Sequence, residues 1–164
     1  MTAPAPGPPG APILRRTPAD APFFDAAARG ELLIRGCPAC AYALPMDAYA
    51  CPHPEHPPGA DGLGWLPASG RGTLVSWSSV HRAPHPAFAG QVPYTIALVE
   101  LDEGPWLEAR LVGADPAGLR AGLRLRAAFV HPADPADGES FPVFAPDHPT
   151  PDHPTPLATG DPAP

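Results

Sequence analysis

Cys37-Pro38-Ala39-Cys40, followed by Cys51-Pro52-His53, is the stretch from which the rest of the chain can be placed. It holds all three cysteines of the sequence. The Cys-x-x-Cys spacing lets two thiolates grip one tetrahedral metal from a tight turn. Cys51 opens a second turn, with His53 and His56 close behind. A closed structural zinc site takes four ligands, which Cys37, Cys40, Cys51 and either His56 or His53 would supply. His56 has more slack to fold back, because His53 is wedged between Pro52 and Pro54. A regular zinc ribbon carries a fourth cysteine at position 54, where this chain has proline, so a ribbon that has lost its metal is the alternative. A thioredoxin-type redox pair fits less well, since that motif opens a helix after a strand and here Pro-rich sequence flanks the pair. A disulfide would leave one cysteine over. No signal peptide is visible, and the expected compartment is a reducing cytoplasm, where disulfides are rare.

Composition limits the remaining choices. The 164 residues suit one modest domain with an attachment. The 29 prolines force much of the chain into loops and extended segments. Every basic residue is an arginine, a bias typical of a GC-rich genome. A net charge of −7 argues against tight binding to a phosphate backbone. No apolar run approaches the ~18–20 residues that span a bilayer, so no membrane role is expected. Residues 1–17 read as a disordered Pro-rich tail, and residues 147–164 as a second one. The second tail carries the direct repeat Asp147-His148-Pro149-Thr150-Pro151 and Asp152-His153-Pro154-Thr155-Pro156.

Between the tails, residues 18–66 are assigned to an N-terminal helix and the ribbon, and residues 67–146 to a β domain. Asp20-Ala21-Pro22 marks a helix start, with a capping acid and a first-turn proline. Phe23, Phe24, Ala27 and Ala28 recur at helical spacing, Gly30 is the stop, and Leu32–Ile34 is a short strand. Gly59–Gly64 reads as a turn. Five strands follow. Thr73, Val75 and Trp77 alternate with serines in the first, and Tyr94 to Val99 suggests a second that is buried on both faces. Leu107, Ala109 and Leu111 define one face of the third. Leu123, Leu125, Ala127 and Phe129 alternate with Arg124 and Arg126 in the fourth, and Phe141–Phe144 is the fifth. Asp115-Pro116-Ala117-Gly118-Leu119 forms a capped turn between the third and fourth. That order matches a Greek-key OB barrel, with a small β-sandwich as the alternative. Trp77 and Trp106 are assigned to the core.

An ordered set of segments also carries a family resemblance. It runs from Phe23-Phe24-Asp25 through Cys37-x-x-Cys40, Cys51-Pro52 and Trp65–Thr73. It continues through Val80–Phe88, Val92-Pro93-Tyr94 to Leu101, Glu103-Gly104-Pro105 and Arg110–Gly113. Over about residues 20–146 the chain resembles the acyl-CoA-associated zinc-ribbon/OB-fold family, formerly a domain of unknown function. The resemblance implies a mainly β protein with a short N-terminal helix, a rubredoxin-like zinc ribbon and a five-stranded OB barrel. It implies a structural zinc. It also implies a role as partner subunit of thiolase-fold or lipid-transfer-type enzymes acting on CoA thioesters, such as ketothiolases, acyltransferases or a steroid side-chain retro-aldolase.

No complete catalytic set is legible. Ser79 and His81 share a strand face, but there is no nucleophile elbow and no phosphate loop. The chain is therefore expected to be non-catalytic alone. The loop from His81 to Pro93 is the best contact candidate. His81, Arg82 and His85 can meet CoA phosphates or an acidic partner rim, and Phe88 and Tyr94 can anchor a protein interface. The competing functions are a single-stranded nucleic-acid module, which would need a basic groove with exposed aromatics, and a free-standing acyl-CoA-binding protein. A barrel of this size is filled by its own side chains, which speaks against the last.

Overall fold

The computed structural model describes residues 14–56, 62–83, 86–134 and 138–147. Residues 1–13 and 148–164 of the expected tails and the first half of the Gly59–Gly64 turn fall outside these residues, whereas residues 14–17 and Asp147 are described. A single helix, α1 (Ala21–Ala28), opens the fold, with Pro22 in its first turn. Asp20 occupies the cap position without a side-chain cap bond; its carboxylate accepts from the Thr17 amide instead. The helix ends in a Schellman arrangement: Gly30 N–H donates to Ala27 O and Glu31 N–H to Ala26 O. Gly30 has φ 76°, a conformation that costs a residue with a Cβ more than it costs glycine. Ala26 and Ala27 are the buried pair and Ala28 is exposed, so the packed face is rotated by one residue from the expected one. Phe23 packs edge-on to Phe24 and lies 5.7 Å from the Trp65 ring.

A small antiparallel sheet follows, ordered β2-β1-β3 and built from β1 (Leu32–Gly36), β2 (Ala43–Leu44) and β3 (Gly64–Ala68). The short strands β2 and β3 were not expected, because too few residues alternate in either to give a period. The barrel consists of β4 (Arg71–Val80), β5 (Tyr94–Leu101), β6 (Trp106–Leu111), β7 (Arg124–Val130) and β8 (Phe141–Pro146). It closes in the order β4-β5-β6-β8-β7, with β6 and β8 parallel and every other pair antiparallel. This is the five-stranded OB architecture.

Gly72 is where closure is tightest. It pairs with Leu101 on one side and Leu125 on the other. A Cβ there would lie 2.5 Å from Glu100 O and 2.7 Å from Val99 Cγ1. One residue past Leu74 the β4–β5 register shifts by a bulge, and the strand bends away from β7.

That geometry corrects two expectations. In β4 the inward residues are Gly72 and Leu74 rather than Thr73, Val75 and Trp77, and Trp77 is 39% exposed. In β6 strand parity puts Trp106 on the outer face with Glu108 and Arg110, and it is 52% exposed. Neither tryptophan belongs to the core. In β5, Ala97, Val99 and Leu101 are the fully buried face, while Ile96 and Leu98 are half-buried.

The core is continuous between the two sheets. Leu32 and Ile34 of β1 join Leu74, Val99, Leu101, Leu111, Leu125 and Phe144 in one cluster. At the periphery, Arg16 bridges Glu139 and Asp25, tying the segment ahead of α1 to the approach to β8. His131 Nδ1 and Ser140 Oγ, 2.9 Å apart, close the base of the β7–β8 connection. Asp115 caps its short 3-10 turn by accepting from the Ala117 amide.

Two predictions follow from this packing. Phe144→Ala should cost on the order of 3–5 kcal/mol, and Gly72→Ala at least ~2 kcal/mol, in urea unfolding. Hydrogen bonds from Arg16 hold the Glu139 carboxyl below the ordinary glutamate value of 4.5. A depressed carboxyl pKa stabilises the fold above the unfolded value and loses that contribution as pH falls. Arg16→Met should therefore lower the melting midpoint at neutral pH, with the difference from wild type shrinking as pH drops below 4.5.

Candidate metal centre and contact surface

The end of β1 and the turn after it build the metal centre. Ala41 N–H donates to Cys37 O and Cys37 N–H to Tyr42 O, so the chain doubles back within five residues. Ala41 takes up the reversal with φ 55°, a left-handed conformation that alanine adopts at a cost. The loop brings Cys37 and Cys40 together, and the segment from Cys51 to His56 folds over them. The donor atoms of Cys37, Cys40, Cys51 and His56 all lie within 4.8 Å of one another. Cys37 Sγ is 3.3 Å from His56 Nδ1, and Cys40 Sγ is 3.6 Å from Cys51 Sγ.

These separations discriminate between chemistries. A disulfide needs about 2.05 Å between sulfurs, so Cys40 and Cys51 are not bonded. Tetrahedral zinc, with Zn–S near 2.3 Å and Zn–N near 2.0 Å, needs edges of about 3.8 Å for S···S and about 3.5 Å for S···N. The cluster matches the second pattern.

Protonation points the same way. Burial pushes the Cys37 thiol up, but hydrogen bonds from the Cys40 and Ala39 amides and from the neighbouring thiols outweigh it and bring it to about 6. Burial drives Cys40 up to about 11; the Tyr42 amide opposes this, and the Cys37 and Cys51 sulfurs add to it. Bound to a cation, the three sulfurs would serve as thiolates, and the ion would offset their mutual repulsion. His53, the other candidate ligand, stays outside the cluster. Its ring lies 5.1 Å from that of Tyr42, and its Nδ1 accepts from the Glu55 amide.

The second candidate surface lies at the far end of the β4–β5 hairpin. Phe88, in a 3-10 segment spanning Pro86–Gln91, has its ring 5.9 Å from Tyr94. The Arg110 guanidinium sits 5.1 Å above the Tyr94 ring and donates to Gln91 Oε1. Val80 pairs with Tyr94, which leaves the exposed His81 and Arg82 at the same end. His85 lies outside the described residues. Sequence reasoning missed Arg110 and Gln91. Arg110 reads as one member of an alternating charged face, and only the β5–β6 register (Ile96 opposite Arg110) sets it beside Tyr94. No hydrogen bond among the described residues joins Ser79 to His81, and the two remain separate surface groups.

Four further arginines are held in ion pairs, Arg16 with Asp25 and Glu139 and Arg29 with Glu31 among them. Arg124 forks onto both carboxylate oxygens of Asp102, and Arg71 pairs with Asp147. No helix among the described residues is long and apolar enough to cross a membrane.

Residues 65–130 match the family description "ChsH2, C-terminal OB-fold domain". Over 126 residues the chain is 36% identical to a probable enoyl-CoA hydratase alpha subunit of Thermomonospora curvata, covering 76% of this chain and 36% of that protein. Over 68 residues it is 43% identical to the 3-oxo-4,17-pregnadiene-20-carboxyl-CoA hydratase alpha subunit of Mycobacterium tuberculosis, covering 42% of this chain and 21% of that protein. The chain thus spans about a third and a fifth of the lengths of these two relatives. Among solved structures, a chain of the Ltp2-ChsH2(DUF35) aldolase superposes with a TM-score of 0.64 at 34% identity, over 80% of this chain and 96% of that one. On that likeness over nearly the whole of the aldolase chain, and on the match of its barrel region, the chain belongs to the ChsH2/DUF35 family of acyl-CoA-associated OB-fold proteins.

Proposed function

We propose that this chain is an accessory subunit of a thiolase-fold enzyme acting on CoA thioesters, and that it docks its partner through the β4–β5 end of the barrel. The likeness to the aldolase chain, extending over 96% of that chain at 34% identity, is the observation that carries the reading. The surface chemistry supports it. Phe88 and Tyr94 offer aromatic area at low entropic cost, and Arg110, Arg82 and His81 surround them with donors for carboxylates or CoA phosphates. The chain brings recognition and shape, and the reacting groups are supplied by its partner. A reducing cytoplasm suits its three free thiols.

Cys37, Cys40, Cys51 and His56 would hold one zinc ion. The ion would act as a structural cross-link between the two ribbon turns and neutralise their thiolates. Protein purified without added metal should contain close to one zinc per chain by elemental analysis. Cys40→Ser should lose the metal and lower the melting midpoint, whereas His53→Ala should keep it. Less than a tenth of an equivalent in folded wild-type protein would show that the ribbon is degenerate.

The partner reading is tested by gel filtration of this chain with its cognate thiolase-like protein, followed by a CoA-release assay. The isolated chain should show no turnover, and the pair should co-elute with raised activity. Phe88→Ala, Tyr94→Ala and Arg82→Glu should each weaken association by on the order of 1–3 kcal/mol, roughly 5- to 150-fold in Kd. Robust turnover by the isolated chain, or a partner fully active and stable without it, would sink the proposal. A salt-sensitive submicromolar complex with a single-stranded oligonucleotide would instead favour a nucleic-acid module.

A further inference from the structure

Most strand edges of this fold are guarded. β2 is two residues long, and β3 carries Pro67. β6 pairs with β8 only at Leu111, and the rest of the strand carries Glu108 and Arg110. Short strands, prolines and charges are the devices that keep an edge from adding a foreign strand.

β4 has none of these devices along its second half. It pairs with β7 over Arg71–Thr73. Leu74 then makes the last bonds on that side, its N–H donating to Leu123 O and its carbonyl accepting from the Gly122 amide. From Ser76 to Val80 the strand continues in unbroken register with β5, Ser76 opposite Leu98 and Val80 opposite Tyr94. On its other side no backbone among the described residues pairs with it. Alternate residues of a strand turn their N–H and C=O groups to opposite sides, so part of this backbone faces water unpaired. Ser76-Trp77-Ser78-Ser79-Val80 contains no charge and no proline. Ser76 to Ser79 are exposed, the Trp77 side chain among them. Such an edge is a ready template for one more strand.

Position and size say which strand covers it. The edge leads directly into His81 and Arg82, both exposed, and Val80 lies opposite Tyr94 of the contact surface. A protein seated on Phe88 and Tyr94 therefore has the edge within reach. Five residues of strand extend only about 17 Å. A second copy held by this edge alone would fall short of the ~1,200 Å² that a stable interface buries. A partner already held at Phe88 and Tyr94 needs no such area from the edge itself.

We propose that an extended segment of the partner enzyme adds to β4 along Ser76–Val80 and widens the β4–β5–β6 sheet by one strand. The added strand runs antiparallel, as β5 and β7 already do beside β4. Main-chain hydrogen bonds supply the attachment. The fitting segment is uncharged over about five residues and acidic where it passes Arg82. This inference rests on the accessory-subunit reading and specifies how the partner is held.

Hydrogen–deuterium exchange read by mass spectrometry tests it, on the full-length chain alone and mixed with its cognate thiolase-like protein. Amides of residues 76–80 should exchange at least ~10-fold more slowly in the complex, and one run of about five partner residues should slow with them. Ser76→Lys/Ser78→Lys puts charges on the edge at two exposed positions. It should leave the melting midpoint unchanged and weaken association at least ~10-fold. The exchange measurement uses the unaltered chain, so it stands whatever the lysines do to folding. Suppose instead that residues 76–80 exchange in the complex as in the free chain, and that the lysine variant binds like wild type while Phe88→Ala still weakens binding. The added strand would then be refuted and the accessory-subunit reading would remain. The absence of any complex would refute both. Protection of residues 76–80 in the chain alone, fading on tenfold dilution, would assign the edge to a second copy and overturn the partner's strand.

Discussion

Gly72 pairs with two neighbouring strands at once, and it has no room for even a methyl group. Everything else in the barrel depends on that approach. Because β4 can lie against both β5 and β7 there, the sheet closes, and Leu74, Val99, Leu125 and Phe144 face one another inside it. Beyond Leu74 the bulge releases β4 from β7, and the strand runs on with β5 as a hairpin. The hairpin holds Tyr94 near its tip, where Phe88 and Arg110 meet it. Barrel closure and the aromatic surface therefore have one cause, the point at which β4 exchanges two partners for one.

Much of this was legible in the sequence, where local chemistry sets the outcome. The Cys-x-x-Cys turn, the Gly30 helix stop and the Asp115 cap each rest on interactions within a few residues, and each forms as expected. The five barrel strands announced themselves by alternation. The inward sets of β6 and β7 were read as they stand, and what failed was the inward set of β4 and the placing of Trp106. Trp77 and Trp106 are the most hydrophobic residues of their strands, yet both point outward. Parity is fixed by strand register and by a bulge, which depend on partners remote in sequence. β2, with two residues, is too short to carry a period at all.

The candidate sites divide along the same line. The four-residue metal cluster is assembled by two short turns, so spacing alone narrowed it to two histidines. Geometry then separates them, His56 turning toward Cys37 and His53 toward Tyr42. The contact surface draws on three separate segments, and Arg110 entered it only through the pairing of β5 with β6. Glu103 was invisible for another reason. A glutamate in a turn is ordinarily solvated, whereas here Oε1 accepts from the Ser69 amide and Oε2 is buried.

The hydrophobic seam from Ile34 to Phe144 has a consequence for how such a protein can be inherited. Beads on a string can be shuffled one at a time, because each keeps its interior when moved. Here Leu32 and Ile34 lend their side chains to an interior that the barrel strands complete, and neither part has a sealed core without the other. Recombination that carried the barrel into a new gene without the ribbon would leave it with an open flank. The heritable cassette is the whole stretch from the first helix to the last strand, and a fusion to a larger polypeptide would have to take it in one piece.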